Sequence, residues 1–178
     1  MIIDDTNKNL VVESLVSNKT DFALVSVLPD FALESIELMD NQLKLFCGNE
    51  YFELIESFDI QWLEKLPLIL REQGSATRKA METFLNKYKI RPKRTLELAS
   101  NEAVKQAVNA GLGLSIMPLI GLRHELSYGT IKEIPLKGLP IITNWNLVYA
   151  KGKMLTPAAE ALIQHIKTNK QMVIDQHF

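Results

Sequence analysis

Cysteine is almost absent. Cys47 stands alone, so no internal disulfide can form, and a reducing compartment suits the chain. Histidine is scarce as well. His124, His165 and His177 show no metal-ligand spacing, among themselves or with Cys47, and no metal or other cofactor is expected. Neither sign of charge dominates: 20 Lys+Arg face 21 Asp+Glu, for a formal net charge of −1. A domain whose main task is gripping phosphate backbones concentrates positive charge, so direct nucleic-acid binding is not expected. Long apolar runs are missing, which excludes a membrane-spanning helix. The start, Met1-Ile-Ile-Asp-Asp5, lacks the basic-then-apolar pattern of a secretory signal. The expectation is a soluble cytoplasmic protein without a membrane partner.

Catalytic signatures are lacking too. There is no Gly-x-Ser-x-Gly elbow. Gln73-Gly-Ser-Ala-Thr-Arg78 lacks the Gly-Lys-Ser/Thr ending of a P-loop. Gly111-Leu-Gly113 follows a helix instead of joining a strand to a helix, so it reads as tight-turn geometry and not as a dinucleotide fingerprint. Cys47 reads as a small core hydrophobe, and Asp4-Asp5 and Glu53/Glu56 read as surface charge. No catalytic residue stands out, and an enzyme is not expected.

What is present is an alternation of short apolar runs and amphipathic stretches in a chain that is 47% hydrophobic. Residues 22–27 form a compact apolar run, expected as a strand covered on both faces. Before it, Val11, Val12, Leu15 and Val16 repeat at helical spacing, with Thr6 or Asn7 as cap. Strands are expected at residues 43–47, 67–70, 95–98, 114–117 and 145–150. Helices follow Gly74-Ser75 and Ser100, and Thr156-Pro157 opens a final one with proline at its first position. Gly111 is placed to end the helix after Ser100 in a left-handed conformation. Strands alternating with helices imply βαβ units and a mainly parallel sheet. Residues 43–48 and 142–149 are candidates to cross between two lobes.

Three of these strands end in small polar groups: Ser26, then Gly74-Ser75-Ala76-Thr77, then Ser100-Asn101. In open α/β sheets ligands bind beyond the carboxyl ends of strands, beside helix starts. Unpaired N–H groups and the helix dipole there favour a carboxylate, sulfate or phosphate. Arg71 and Arg78 flank the second segment and are expected to add charge-assisted hydrogen bonds. The plainer alternative is that Ser75 and Ser100 are helix caps and nothing more.

Two runs carry a family resemblance. Leu70-Arg-Glu-Gln-Gly-Ser-Ala-Thr-Arg78 and, more specifically, Leu98-Ala-Ser-Asn-Glu-Ala-Val-Lys-Gln-Ala-Val-Asn-Ala-Gly-Leu-Gly-Leu-Ser-Ile-Met-Pro118 resemble the effector-binding domain of LysR-type transcriptional regulators. Asp21-Phe-Ala-Leu-Val25 and Leu155-Thr-Pro-Ala-Ala159 fit the same pattern, so the resemblance covers nearly the whole chain. It implies an α/β, two-lobed, type 2 periplasmic-binding-protein-like fold with two crossing strands. Residues 1–47 with 143–178 would form one lobe and residues 48–142 the other. Ile2-Ile3 resembles the family's second strand, so the first strand and helix, and the winged helix-turn-helix before them, would be missing. The resemblance implies an effector site between the lobes at Ser26, Gly74, Ser75, Thr77, Ser100, Asn101, Met117 and Pro118. The implied partners are a small anionic metabolite, a second copy of the chain in a homo-oligomer, and DNA only through the absent domain. A stand-alone solute-binding protein of the same fold is the alternative.

Overall fold

The computed structural model describes residues 2–4, 6, 8–54 and 59–177, without the side chains of Lys8 and His177. Asp5, Asn7, Glu56 and the His177 side chain lie outside the described residues. In chain order the elements are α1 (Lys8–Val16), β1 (Ala23–Val25), β2 (Leu33–Gly48), α2 (Asn49–Glu53), β3 (Pro67–Arg71), α3 (Ala76–Lys87), β4 (Arg94–Leu98), α4 (Asn101–Asn109), β5 (Ser115–Pro118), α5 (Arg123–Tyr128), β6 (Ile131–Ile134), β7 (Ile141–Ala150) and α6 (Pro157–His177). They belong to two compact units, Met1–Asn41 with Thr143–Phe178, and Gln42–Ile142. Strand β2 leaves the first unit after Asn41, and β7 re-enters it at Thr143.

The first unit is built around Leu15 of α1, Val25 of β1 and Val148 of β7, with Val11, Ala23 and Leu33 packed against them. Strand β1 pairs antiparallel with β7, Ala23 opposite Val148 and Val25 opposite Asn146. The expected strand at residues 22–27 is shorter than its apolar run and is covered on one face only. Val25 is buried while Leu24 is 59% exposed, the alternation normal for a strand with one free face. Ile2 and Ile3 are not a strand. They are 90% and 80% exposed, and among the described residues no strand pairs with them. Helix α6 opens as its sequence suggests: the Ala159 N–H donates to the Thr156 hydroxyl, and Pro157 takes the first position. Lys170 ties this helix to the Glu37 carbonyl at 2.8 Å.

In the second unit β3 and β4 run parallel, in register from Pro67 opposite Arg94 to Arg71 opposite Leu98. Leu114, the residue before β5, forms a parallel bridge with Leu68 of β3, and the Ile69 N–H donates to the Leu114 carbonyl at 2.7 Å. Strand β2 pairs antiparallel with both β5 and β6. The parallel arrangement expected from the alternating pattern therefore holds only for the β3–α3–β4–α4–β5 stretch. Strands β1, β2, β6 and β7 pair antiparallel because none of them sits inside a βαβ repeat. One apolar cluster places Leu45, Leu68, Leu114 and Ile116 against Met81, Phe84 and Leu85 of α3. A second places Phe46, Ile69 and Met117 against Val104, Ala107 and Val108 of α4. Cys47 lies fully inside the first cluster, and burial pushes its thiol up to about 11. It is the core hydrophobe its surroundings require.

Candidate functional site

Two helices start at one end of the paired strands β3 and β4 in the second unit. Strand β3 ends at Arg71, Gly74 turns the chain at φ +89°, and Ser75 caps α3 by accepting from the Arg78 N–H at 3.4 Å. Strand β4 ends at Leu98, and Ser100 caps α4 by accepting from the Ala103 N–H at 3.1 Å. The two strands are parallel neighbours, and the Glu72 N–H donates to the Leu98 carbonyl at 3.1 Å, so both helices begin at the same end of the pair, α3 packed on the Leu68 face of β3 and α4 on the Ile69 face. Each cap satisfies one first-turn N–H, and the others have no partner within their helix. Ser75 and Thr77 are buried, Gly74 and Ser100 half-buried, and Asn101 exposed.

The arginines flanking this edge are not free. Arg71 forks onto its neighbour Glu72, Nε to Oε2 at 2.7 Å and Nη2 to Oε1 at 3.0 Å, and its Nη1 donates to Asn101 Oδ1. Arg78 donates to Glu82 at 2.7 Å, to the Arg71 carbonyl at 2.8 Å, and to Glu97. Burial opposes the Arg78 charge, but Glu82 and Glu97 outweigh it and hold the guanidinium above its ordinary value. The charge-assisted hydrogen bonds expected of these arginines are made here to carboxylates of their own unit, Glu72 for Arg71 and Glu82 with Glu97 for Arg78. Glu72 and Glu82 were visible in the sequence as an adjacent residue and an i+4 neighbour. Glu97 was not, because β3–β4 pairing brings it in.

The remaining expected residues lie elsewhere. Ser26 sits half-buried in the bend after β1, in the first unit. Met117 is packed into the cluster against α4, and Pro118, also buried, ends β5 opposite Leu43. The second unit therefore brings Gly74, Ser75, Thr77, Ser100 and Asn101 to one edge, while the Met117 side chain serves the core. An open pocket of about 310 Å³ lies at the far end of α4, lined by Gly48, Asn49, Glu50, Asn109, Gly111 and Thr130. None of the expected site residues lines it. Among the described residues no cluster of acidic, His or Cys side chains could hold a metal. No helix among them is long and apolar enough to cross a membrane.

Residues 2–171 match the LysR substrate binding domain. The chain belongs to this family. It is 34% identical over 166 residues to the RuBisCO operon transcriptional regulator of Allochromatium vinosum, covering 92% of this chain and 55% of that protein. It is 30% identical over 171 residues to the HTH-type transcriptional activator CmpR of Synechocystis sp., covering 94% and 56%. The chain thus spans about half the length of the curated relatives it matches. Among solved structures, the Synechocystis CcmR regulatory domain in complex with 2-PG superposes with a TM-score of 0.83 at 26% identity, covering 93% of this chain and 80% of that one. The effector binding domain of QuiR in complex with shikimate shares the fold, with a TM-score of 0.77 at 20% identity over 93% and 79%. The fold of the LysR substrate binding domain is of the type 2 periplasmic-binding-protein-like class, and the chain has it.

Proposed function

We propose that this LysR substrate binding domain is the effector-sensing part of a transcriptional regulator and that its effector is a small anion. The observation that carries the reading is the parallel pairing of β3 with β4, which brings the starts of α3 and α4 to the same end of the sheet. Each of these helix starts favours negative charge by about 0.3–1 kcal/mol, more where partly buried. Ser75, Ser100 and Asn101 are the residues nearest that charge, with Gly74 and Thr77 shaping the first start. Ser26, Met117 and Pro118 are proposed contacts of lesser weight. The likeness to CcmR, solved with 2-PG, supports an acidic metabolite. In the intact regulator, effector binding shifts the population of a cytoplasmic homo-oligomer that holds DNA through another domain. The sensor role, with no chemistry of its own, fits a candidate edge of hydroxyls, amides and already paired charges. A stand-alone solute-binding protein is not favoured, since the relatives are regulators of nearly twice this length.

The test is thermal stabilisation by 2-PG, sulfate, phosphate and a panel of small organic acids. A ligand at about 100 times its dissociation constant raises stability by about 2.7 kcal/mol, a readily measured shift. Ser100→Asp places a like charge at the start of α4 while keeping a good cap, so the free protein should melt as before and the ligand-induced shift should vanish. If the shift persists in that variant, Ser100 is a cap only and the edge is not the site.

A further inference from the structure

We infer that Glu72 is an internal competitor for the effector: its carboxylate occupies the Arg71 guanidinium that an anion at the start of α4 would otherwise engage. The inference rests on the anion reading and names the residue that sets its affinity. Three features carry it. Arg71 is tied to the α4 start, because its Nη1 donates to the side chain of Asn101, the first residue of that helix. The opposite edge of the same guanidinium is filled by both oxygens of Glu72, a bidentate, charge-assisted pair. The pair is sheltered, with side chains 10% and 18% exposed, so solvent screens it weakly.

Glu72 is also able to leave. It follows the last residue of β3 and precedes the turn at Gly74, so rotating its side chain outward disturbs no ladder hydrogen bond. Its backbone N–H stays on the Leu98 carbonyl throughout. A carboxylate or phosphate arriving at the α4 start then exchanges one guanidinium–anion pair for another. The net gain is small compared with binding to a free arginine. An intramolecular competitor of this kind acts as a high local concentration of carboxylate, and an effector succeeds only when abundant or multiply charged. The edge is thereby set to report a metabolite at high concentration and to ignore sparse monoanions. If Glu72 instead merely held Arg71 in place for the ligand, removing its charge would loosen the arginine and weaken binding. The two roles predict opposite signs.

The experiment is calorimetric titration of the whole chain with 2-PG, sulfate and inorganic phosphate, in the parent, Glu72→Gln and Glu72→Ala. Glu133→Gln serves as control for the change in net charge, since Glu133 pairs with Lys44 on β2. Both Glu72 variants should bind the anions about tenfold more tightly, with Glu133→Gln within twofold of the parent. Melting temperatures establish that each variant is folded, and the alanine variant decides the matter if the glutamine variant is not. Unchanged or weaker binding in a folded Glu72 variant overturns the inference while leaving the anion reading intact. Silence of the parent and every variant toward all three anions overturns the anion reading, and this inference with it.

Discussion

At the scale of single residues, the Gly111-Leu-Gly113 turn shows two glycines required for different reasons. Gly111 stands at φ +72°, the left-handed position anticipated after α4. Gly113 has no such backbone requirement. A Cβ there would sit 2.5 Å from the Pro67 carbonyl oxygen, the same oxygen that accepts the Leu114 N–H at 3.0 Å. The glycine lets the chain entering β5 press against β3, and periodicity cannot reveal such a contact. Gly113→Ala should therefore destabilise the protein by about 2 kcal/mol, as overpacking against immobile backbone does. Gly121→Ala, where nothing lies within 4 Å of the added carbon, should change stability by less than about 0.5 kcal/mol. Urea denaturation of the two variants checks both values, and equal stability in the pair would mean the β3–β5 approach is looser than described. The site residues divide in the same way. That Ser75 and Ser100 are caps was legible from hydroxyls ahead of apolar-periodic runs. That Arg71 and Arg78 are engaged was legible only where the partner is near in sequence.

At the scale of elements, α3 and α4 were the most readable parts of the chain. Each combines a capping serine, a periodic apolar face and a clear end, so local signals agree. The short elements were not read: α2, α5 and β6 have five, six and four residues, too few to establish a period. Yet α5 is held to α4 by a charge bridge that no local signal encodes. Lys105 reaches Glu102 at 2.9 Å on its own helix and Glu125 of α5 at 3.0 Å. Glu102 lies below its ordinary value because Gln106 and Lys105 hydrogen-bond to it. For Glu125 burial acts upward, but its own backbone N–H and Lys105 bring the net shift below the ordinary value too. Carboxylates depressed in the folded state add stability above their ordinary value of 4.5, and that stability is lost as pH falls through the depressed values. Lys105→Met should cost about 1 kcal/mol near neutrality, since only Glu125 is sheltered from solvent. The difference from the parent should shrink below pH 4.5 as the carboxylates protonate. Guanidinium-free melts across pH 3 to 7 (roughly the window in which carboxylates titrate) measure this. A difference independent of pH would assign the effect of Lys105 to packing.

At the scale of the whole molecule, the family and its α/β class were legible because order along the chain carries them. Strand direction was not, because β2 and β7 make pairings that no local pattern specifies. The two units are unequal as folding units for the same reason. Gln42–Ile142 is one continuous stretch that holds both larger apolar clusters and every described pairing of β2 with β5 and β6. The other unit assembles from two separated segments around Leu15, Val25 and Val148. Closing a long loop to join two segments costs entropy that a small cluster repays poorly, whereas the continuous unit closes only short connections. Residues 42–142 expressed alone should therefore fold, with a cooperative urea transition and a dispersed amide spectrum. An equimolar mixture of residues 1–41 and 143–178 should remain unfolded. A molten fragment 42–142 would show that the first unit is needed to order the second. The folded fragment also apportions the site. It keeps Arg71, Glu72, Ser75, Ser100 and Asn101 but lacks Ser26, so its affinity for an anion bound by the whole chain isolates the share of the two helix starts. Affinity within about threefold of the whole chain places recognition on that edge, since threefold is under 1 kcal/mol. A loss beyond a hundredfold assigns most of it to the unit that carries Ser26.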